Sequence, residues 1–181
     1  MSRMLTYARS HPGFLIKLVV FVIILGIVAF LAGVAIYQSR ISNNPLLNAA
    51  EAGDLDRVRL LIKQGTPINA RSPHIKFGWT PLIAAIYADQ TNVAHYLVEA
   101  GADINLTDNG GETPLMWATS RGDDGVDMVR YLIVHGADLY AKDNYGATAF
   151  SYVRSDPPKP KLVEVLEAAK REQESKSGKK E

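Results

Sequence analysis

Thr80-Pro81-Leu82-Ile83-Ala84-Ala85 and Thr113-Pro114-Leu115-Met116-Trp117-Ala118 are two copies of one short phrase. A degraded copy stands at Thr148-Ala149-Phe150-Ser151-Tyr152-Val153, and an earlier one at Asn44-Pro45-Leu46-Leu47-Asn48-Ala49-Ala50. They begin at positions 44, 80, 113 and 148, with spacings of 36, 33 and 35 residues. The chemistry of the phrase is that of a helix start. A threonine hydroxyl caps the orphan N–H groups of a first turn, and proline suits the first helical position, where no hydrogen bond is lost. Leu82, Ala85 and Ile86 then share one face, as do Leu115 and Ala118. The small alanines permit close approach of a neighbouring helix.

The second half of each unit recurs in the same order. Lys63-Gln64-Gly65-Thr66-Pro67-Ile68-Asn69, Glu99-Ala100-Gly101-Ala102-Asp103-Ile104-Asn105 and Val134-His135-Gly136-Ala137-Asp138-Leu139-Tyr140 align, and so do the connectors Thr107–Gly111 and Lys142–Gly146. Between phrase and glycine runs a second apolar stripe, Val93, Leu97 and Val98 in one copy and Val129, Leu132 and Ile133 in the next. Gly101 and Gly136 are placed to end these helices in the left-handed conformation. A helix pair of this size cannot bury its apolar face alone, so the units must stack.

A period near 33 with a Thr-Pro-Leu-x-x-Ala start resembles the ankyrin repeat. The resemblance covers residues 44–170 and implies an all-α solenoid of about 3–4 helix-pair repeats, preceded here by one transmembrane helix. The chain departs from the pattern by a three-residue insertion around Ser72–Phe77, a two-residue insertion near Asp123–Gly125, and the lack of a histidine in the fourth position of the phrase. Asp156-Pro157-Pro158-Lys159-Pro160 breaks the last unit, and Lys161–Lys170 reads as a capping amphipathic helix with Leu162, Val165 and Leu166 inward. Residues 171–181 are polar and aperiodic and read as a disordered charged tail.

Leu18 to Tyr37 contains no charge and no proline. At 1.5 Å per residue it spans roughly 30 Å, the thickness of a bilayer core. The chain therefore reads as a cytoplasmic N-terminus (1–13), a transmembrane signal-anchor helix (14–37), a linker (38–43) and the repeats. A cleaved signal peptide is the rival, although its apolar core is usually shorter, about 7–15 residues. Arg3, Arg9 and Lys17 precede or open the span and only Arg40 follows closely. The positive-inside rule then exports the repeats, which in a bacterium means a single-pass inner-membrane protein with a periplasmic domain.

The formal net charge of +1 conceals a split. Residues 1–44 hold four basic side chains and no acid, leaving 16 basic and 19 acidic in residues 45–181. Such a domain lacks the basic footprint of a nucleic-acid binder. The absence of cysteine excludes disulfides, thiol catalysis and cysteine metal sites. There is no Walker-type glycine loop and no Gly-x-Ser-x-Gly, and His11, His74, His95 and His135 lack metal-ligand spacing. Asp123, Asp124 and Asp127 form an acidic turn that Arg121 and Arg130 are near enough to neutralise. Their spacing is not that of a calcium loop. The expectation is a protein that is not an enzyme and needs no cofactor or metal.

What remains is surface. The resemblance implies that the fifth and eighth positions of each first helix line a concave binding face. Those positions bring Tyr87, Trp117 and Tyr152 into view as one aromatic patch, of the residue types enriched in binding hot spots. Trp117 has a second reading, as a cover that packs on its neighbours. The first tip, Arg71–Trp79, is the longest and carries His74, Ile75, Phe77 and Trp79, residues that on an exposed loop meet a partner or the bilayer, or else fold back on the stack. The expected partners are another protein and, through residues 14–37, the lipid bilayer; the repeat domain itself is expected to be monomeric. By resemblance to exported bacterial repeat proteins whose partners include enzymes or toxins, a protective or immunity-like role follows. The alternative is a structural or assembly factor of a membrane complex acting partly through its transmembrane helix.

Overall fold

The structure, a computed structural model, describes residues 20–21, 23–28, 44–71, 77–153 and 159–177, with residues 176 and 177 described by backbone alone. The chain divides into two units, Met1–Ile41 and Ser42–Glu181. In the first, residues 20–21 and 23–28 are helical, and apolar side chains such as Phe21, Ile23 and Leu25 are exposed. Among the described residues no helix is long and apolar enough to cross a membrane. The expected span 14–37 lies outside them apart from those two short stretches, as do segments 1–13 and 38–43.

The second unit is built from helix pairs: α1 (Pro45–Glu51) and α2 (Leu55–Lys63), α3 (Pro81–Tyr87) and α4 (Thr91–Glu99), α5 (Pro114–Ser120) and α6 (Val126–Val134), α7 (Ala149–Val153) and α8 (Pro160–Ser177). The two-residue insertion forms a 3₁₀ turn, Gly122–Gly125, ahead of α6. No strand occurs among the described residues. The starts obey the capping chemistry. Thr80 Oγ1 accepts from the Ile83 N–H and Thr113 Oγ1 from the Met116 N–H, each at 3.2 Å, while Asn44 Oδ1 accepts from Leu46 and Leu47 at 3.1 Å. At the far ends of α4 and α6, Gly101 (φ +93°) and Gly136 (φ +94°) take the left-handed conformation.

First helices pack on first helices, α1 on α3, α3 on α5 and α5 on α7, and α8 closes against α6 and α7. One apolar cluster runs through the whole stack, from Leu46 and Val58 through Leu82, Leu97, Leu115 and Leu132 to Leu162 and Leu166. Side chains set the register between units. Asn69 Oδ1 accepts the Asp103 N–H at 3.0 Å, and one unit later Asn105 Oδ1 accepts the Asp138 N–H at 2.9 Å. The hairpin tips also join: Asn109 N–H donates to Phe77 O at 2.8 Å and Asn144 N–H to Gly110 O at 2.9 Å.

The C-terminal end differs from the sequence reading. Helix α8 does not stop at Lys170 but continues to Ser177, so residues 171–177 are helical rather than disordered; 178–181 lie outside the described residues. Its second half is a run of strong helix formers, Ala168 to Glu174, with neither glycine nor proline before Gly178. The lack of an apolar stripe removes the reason to pack, not the propensity to coil. Lys159, just ahead of α8, donates its ammonium to Tyr152 O at 3.0 Å, Thr119 O at 3.1 Å and Ser120 O at 3.4 Å. It thereby satisfies carbonyls that the ends of α5 and α7 leave open.

Candidate protein-binding face

The fifth residue of a first helix is aromatic in two units, Trp117 and Tyr152, and its polar end turns back to the preceding hairpin. Trp117 Nε1 donates to Asp108 Oδ2 at 3.1 Å, and the Tyr152 hydroxyl meets Asp143 Oδ2 at 2.9 Å. Both aspartates are buried, 3% and 8% exposed, and each gives its other oxygen to two backbone N–H groups. Asp108 Oδ1 accepts from Gly110 and Glu112, Asp143 Oδ1 from Tyr145 and Ala147, all between 2.8 and 2.9 Å. Hairpin, helix and aromatic ring are thus fastened at one carboxylate per unit. Sequence reasoning missed these aspartates, although an aspartate nine residues before an aromatic occurs in both units.

The two networks meet at Glu112, whose Oε1 lies 2.5 Å from the Tyr152 hydroxyl. Burial pushes the Glu112 carboxyl above its ordinary range; the Tyr152 bond opposes this and the charges of Asp108 and Asp143 add to it. Burial also acts upward on Asp143, but hydrogen bonds from Ala147, Tyr152, Tyr145 and Gly146 outweigh it and hold that carboxyl low. The Tyr152 hydroxyl, buried and facing two carboxylates, is held protonated far above the ordinary phenol range. Tyr152 is therefore a strut of the acidic network.

The aromatic patch has other members than the register suggests. Tyr87 and Trp117 do meet, edge to face, with centroids 5.6 Å apart. The further rings are Phe77 and Trp79, not Tyr152. Trp79 lies 4.5 Å from Tyr87 and 5.2 Å from Trp117, and Phe77 stacks on Trp79 at 5.5 Å. Trp79 does not stand out on the tip. It is 6% exposed, packed on Leu47, Ile83 and Ala84, and its indole N–H has no hydrogen-bond partner among the described residues. Trp117 is half-buried against both apolar clusters, which gives it a packing role whatever else it does. Phe77 and Tyr87 are the open rings, 42% and 50% exposed. His74 and Ile75 lie outside the described residues.

Elsewhere, His95 and His135 lie on either side of the Tyr131 ring, at 3.9 and 4.0 Å. Arg121, expected to neutralise Asp123, Asp124 and Asp127, instead pairs with Asp89 at 3.0 Å and donates to Tyr87 O at 2.6 Å. Asp89 sits at φ +62°, the position that Gly53 and Gly122 fill in neighbouring units, and this brings its carboxylate within Arg121's reach. Among the described residues no three acidic or histidine side chains are grouped to hold a metal ion.

Two family models match the chain, described as ankyrin repeats (3 copies) over residues 20–108 and ankyrin repeats (many copies) over residues 84–133. The chain belongs to the ankyrin-repeat family. Among curated relatives, human Protein phosphatase 1 regulatory subunit 27 is 38% identical over 69 residues, 38% of this chain and 43% of that protein. Protein PhlB of Serratia liquefaciens is 40% identical over 73 residues, 40% of this chain and 31% of that protein. Mouse 2-5A-dependent ribonuclease is 34% identical over 76 residues, 42% of this chain and 10% of that protein. The chain spans less than half the length of each. Ankyrin repeats imply protein–protein interaction, and the face carrying Phe77, Tyr87 and Trp117 is where four aromatic rings gather with two of them exposed; Tyr140 and Tyr145 are exposed elsewhere, outside that cluster.

Proposed function

We propose that this ankyrin stack binds another protein through the face of Phe77, Tyr87 and Trp117 while tethered to a bilayer by residues 14–37, and that it is not an enzyme. The observation that carries the binding reading is the four-ring cluster. Two of its rings are buried or half-buried and anchor it to the core, while Phe77 and Tyr87 stay open to solvent. Fixed aromatic rings give large contact area with little rotamer freedom to lose. The tether is supported by the uncharged run Leu18–Tyr37 and by the exposed apolar side chains of residues 23–28, which have no place in water. Export of the repeats, into the periplasm of a bacterium, rests on the bias of Arg3, Arg9 and Lys17 over Arg40. A protective or regulatory action on an enzyme accords with one relative's name as a regulatory subunit.

Cross-linking in intact membranes, followed by identification of the captured protein, tests the binding reading. Tyr87→Ala should reduce capture without lowering the melting temperature appreciably. Capture by this variant at the parental level would refute the face. Replacing residues 14–37 with an unrelated span should leave capture intact; loss would favour the assembly-factor alternative. A reporter active only outside the cytoplasm, fused after Gly178, should be active. Activity of a cytoplasm-only reporter there would reverse the topology.

A further inference from the structure

The face that carries the open rings also carries charge. Asp108, Glu112 and Asp143 come from two adjoining hairpins and are linked through Trp117 and Tyr152 into one hydrogen-bonded network. Their donors are an indole, a phenol and backbone N–H groups, all neutral. Among the described residues the ion pairs are Arg59 with Asp56 and Arg121 with Asp89, and neither reaches this trio. Lys159, which touches Tyr152, has its ammonium taken up by three carbonyls. Among the described residues, then, no cation pairs with Asp108, Glu112 or Asp143, and negative charge gathers at the edge of Trp117, which in turn meets the half-exposed ring of Tyr87.

We propose that the partner segment docking here is basic and carries an arginine, whose guanidinium stacks on Tyr87 beside Trp117 in the field of the Glu112 network. The inference rests on the binding role proposed above and adds the chemistry of the partner. Three arguments select it. The field of two or three carboxylates in a partly buried setting is strong enough to favour a cation and to repel an acidic segment. The Glu112 carboxyl is raised first by burial, with the charges of Asp108 and Asp143 adding to it, and a neighbouring cation would offset both. Finally, Tyr87 is 50% exposed and stands at an interplanar angle of 85° to Trp117, so the pair forms an aromatic corner. A planar guanidinium stacks on an aromatic ring better than a compact, strongly hydrated ammonium does.

Both tryptophans of the chain, Trp79 and Trp117, are in the cluster, so intrinsic fluorescence reads the site directly. The full chain in a neutral detergent is titrated with blocked hexapeptides identical except for two positions holding arginine, lysine, citrulline or glutamate. The arginine peptide should change the fluorescence saturably, the lysine peptide about threefold more weakly, and the citrulline and glutamate peptides not at all. Tyr87→Ala should weaken the arginine peptide about threefold and Glu112→Gln about tenfold. Tyr145→Ala, on an exposed ring of the next hairpin, should change nothing. Glu112→Gln keeps an oxygen for the Tyr152 hydroxyl and should melt at or above the parent, and Tyr87 lies off the core, so both variants stay folded and report cleanly. The proposal is overturned if the arginine peptide does not bind, if citrulline or glutamate peptides bind equally, or if a parent-like variant binds unchanged. Should the peptides fail while membrane capture still depends on Tyr87, the binding face stands and the basic partner does not.

Discussion

The two indoles of the cluster invite the same substitution with opposite outcomes. Trp79 and Trp117 touch at 5.2 Å, yet Trp117 donates its N–H to a buried carboxylate and the Trp79 N–H has no partner. Replacing either with phenylalanine removes part of a ring, worth about 1 kcal/mol of packing where burial is complete and less at half-buried Trp117. At Trp79 the change also removes a buried donor without a partner, a relief of about 1–3 kcal/mol. Trp79→Phe should therefore fall within about 1 kcal/mol of the parent. At Trp117 it removes a hydrogen bond to a charged group, about 1.5–3 kcal/mol, and leaves Asp108 Oδ2 unpaired in a site only 3% exposed. Trp117→Phe should cost about 2–3 kcal/mol. Urea unfolding followed by far-ultraviolet circular dichroism, with slopes checked because repeat stacks can lose two-state behaviour, gives both values. Equal losses, or a larger loss at Trp79, would refute the assignment of stability to the pairing state of the indole.

Other outcomes follow from the same contacts. Lys159→Met should strip three carbonyls of their donor and cost about 2 kcal/mol; limited proteolysis should then cut ahead of α8 sooner than in the parent. Asp89 holds φ +62°, so Asp89→Gly should be stable to within about 0.5 kcal/mol while Asp89→Ala should lose about 1–2 kcal/mol, read as urea midpoints. The two carboxyls predict opposite pH profiles. Glu112 is raised above its ordinary 4.5, so the stability linked to its protonation is full below that value and lost as pH rises through the folded pKa. Glu112→Gln should thus raise the melting temperature at neutral pH and leave it unchanged in acid. Asp143 is lowered from 3.8, so its contribution is present above that value and lost as pH falls through the folded pKa. Asp143→Asn should destabilise at neutral pH, with the deficit fading in acid.

Much of the stack was legible because its signals are local. Thr80, Thr113 and Asn44 announce helix starts by side-chain chemistry within three residues, and Gly101 and Gly136 announce helix ends by a backbone angle. The apolar stripes of Leu97 and Leu132 are equally local, and both side chains are fully buried. Other features were not legible for want of a local marker. Lys159 satisfies carbonyls as far as 40 residues away. Arg121 takes a partner 32 positions upstream rather than the nearer Asp123, Asp124 or Asp127. The extension of α8 was hidden by an assumption that a polar, aperiodic stretch is unstructured, when strong helix formers need no apolar face to carry a helix onward from a packed first half.

The aromatic face shows why register alone gives the wrong membership. In the unit that begins at Thr113 the residue before the threonine is Glu112 and the fifth helix position is Trp117; in the unit that begins at Thr80 these are Trp79 and Ala84. Large and small have changed places. Ala84 is small, and Trp79, five residues earlier and ahead of the helix cap, packs in one cluster with it, so the large ring comes from a different position. Packing density constrains the volume and not the position that supplies it. The exchange has a second effect. A tryptophan at the fifth position reaches the hairpin carboxylate, as Trp117 does at Asp108, whereas one entering from the preceding position buries its N–H without a partner. Trp79 anchors the cluster, Trp117 ties it to the acidic network, and Tyr87 and Phe77 are its half-exposed rings.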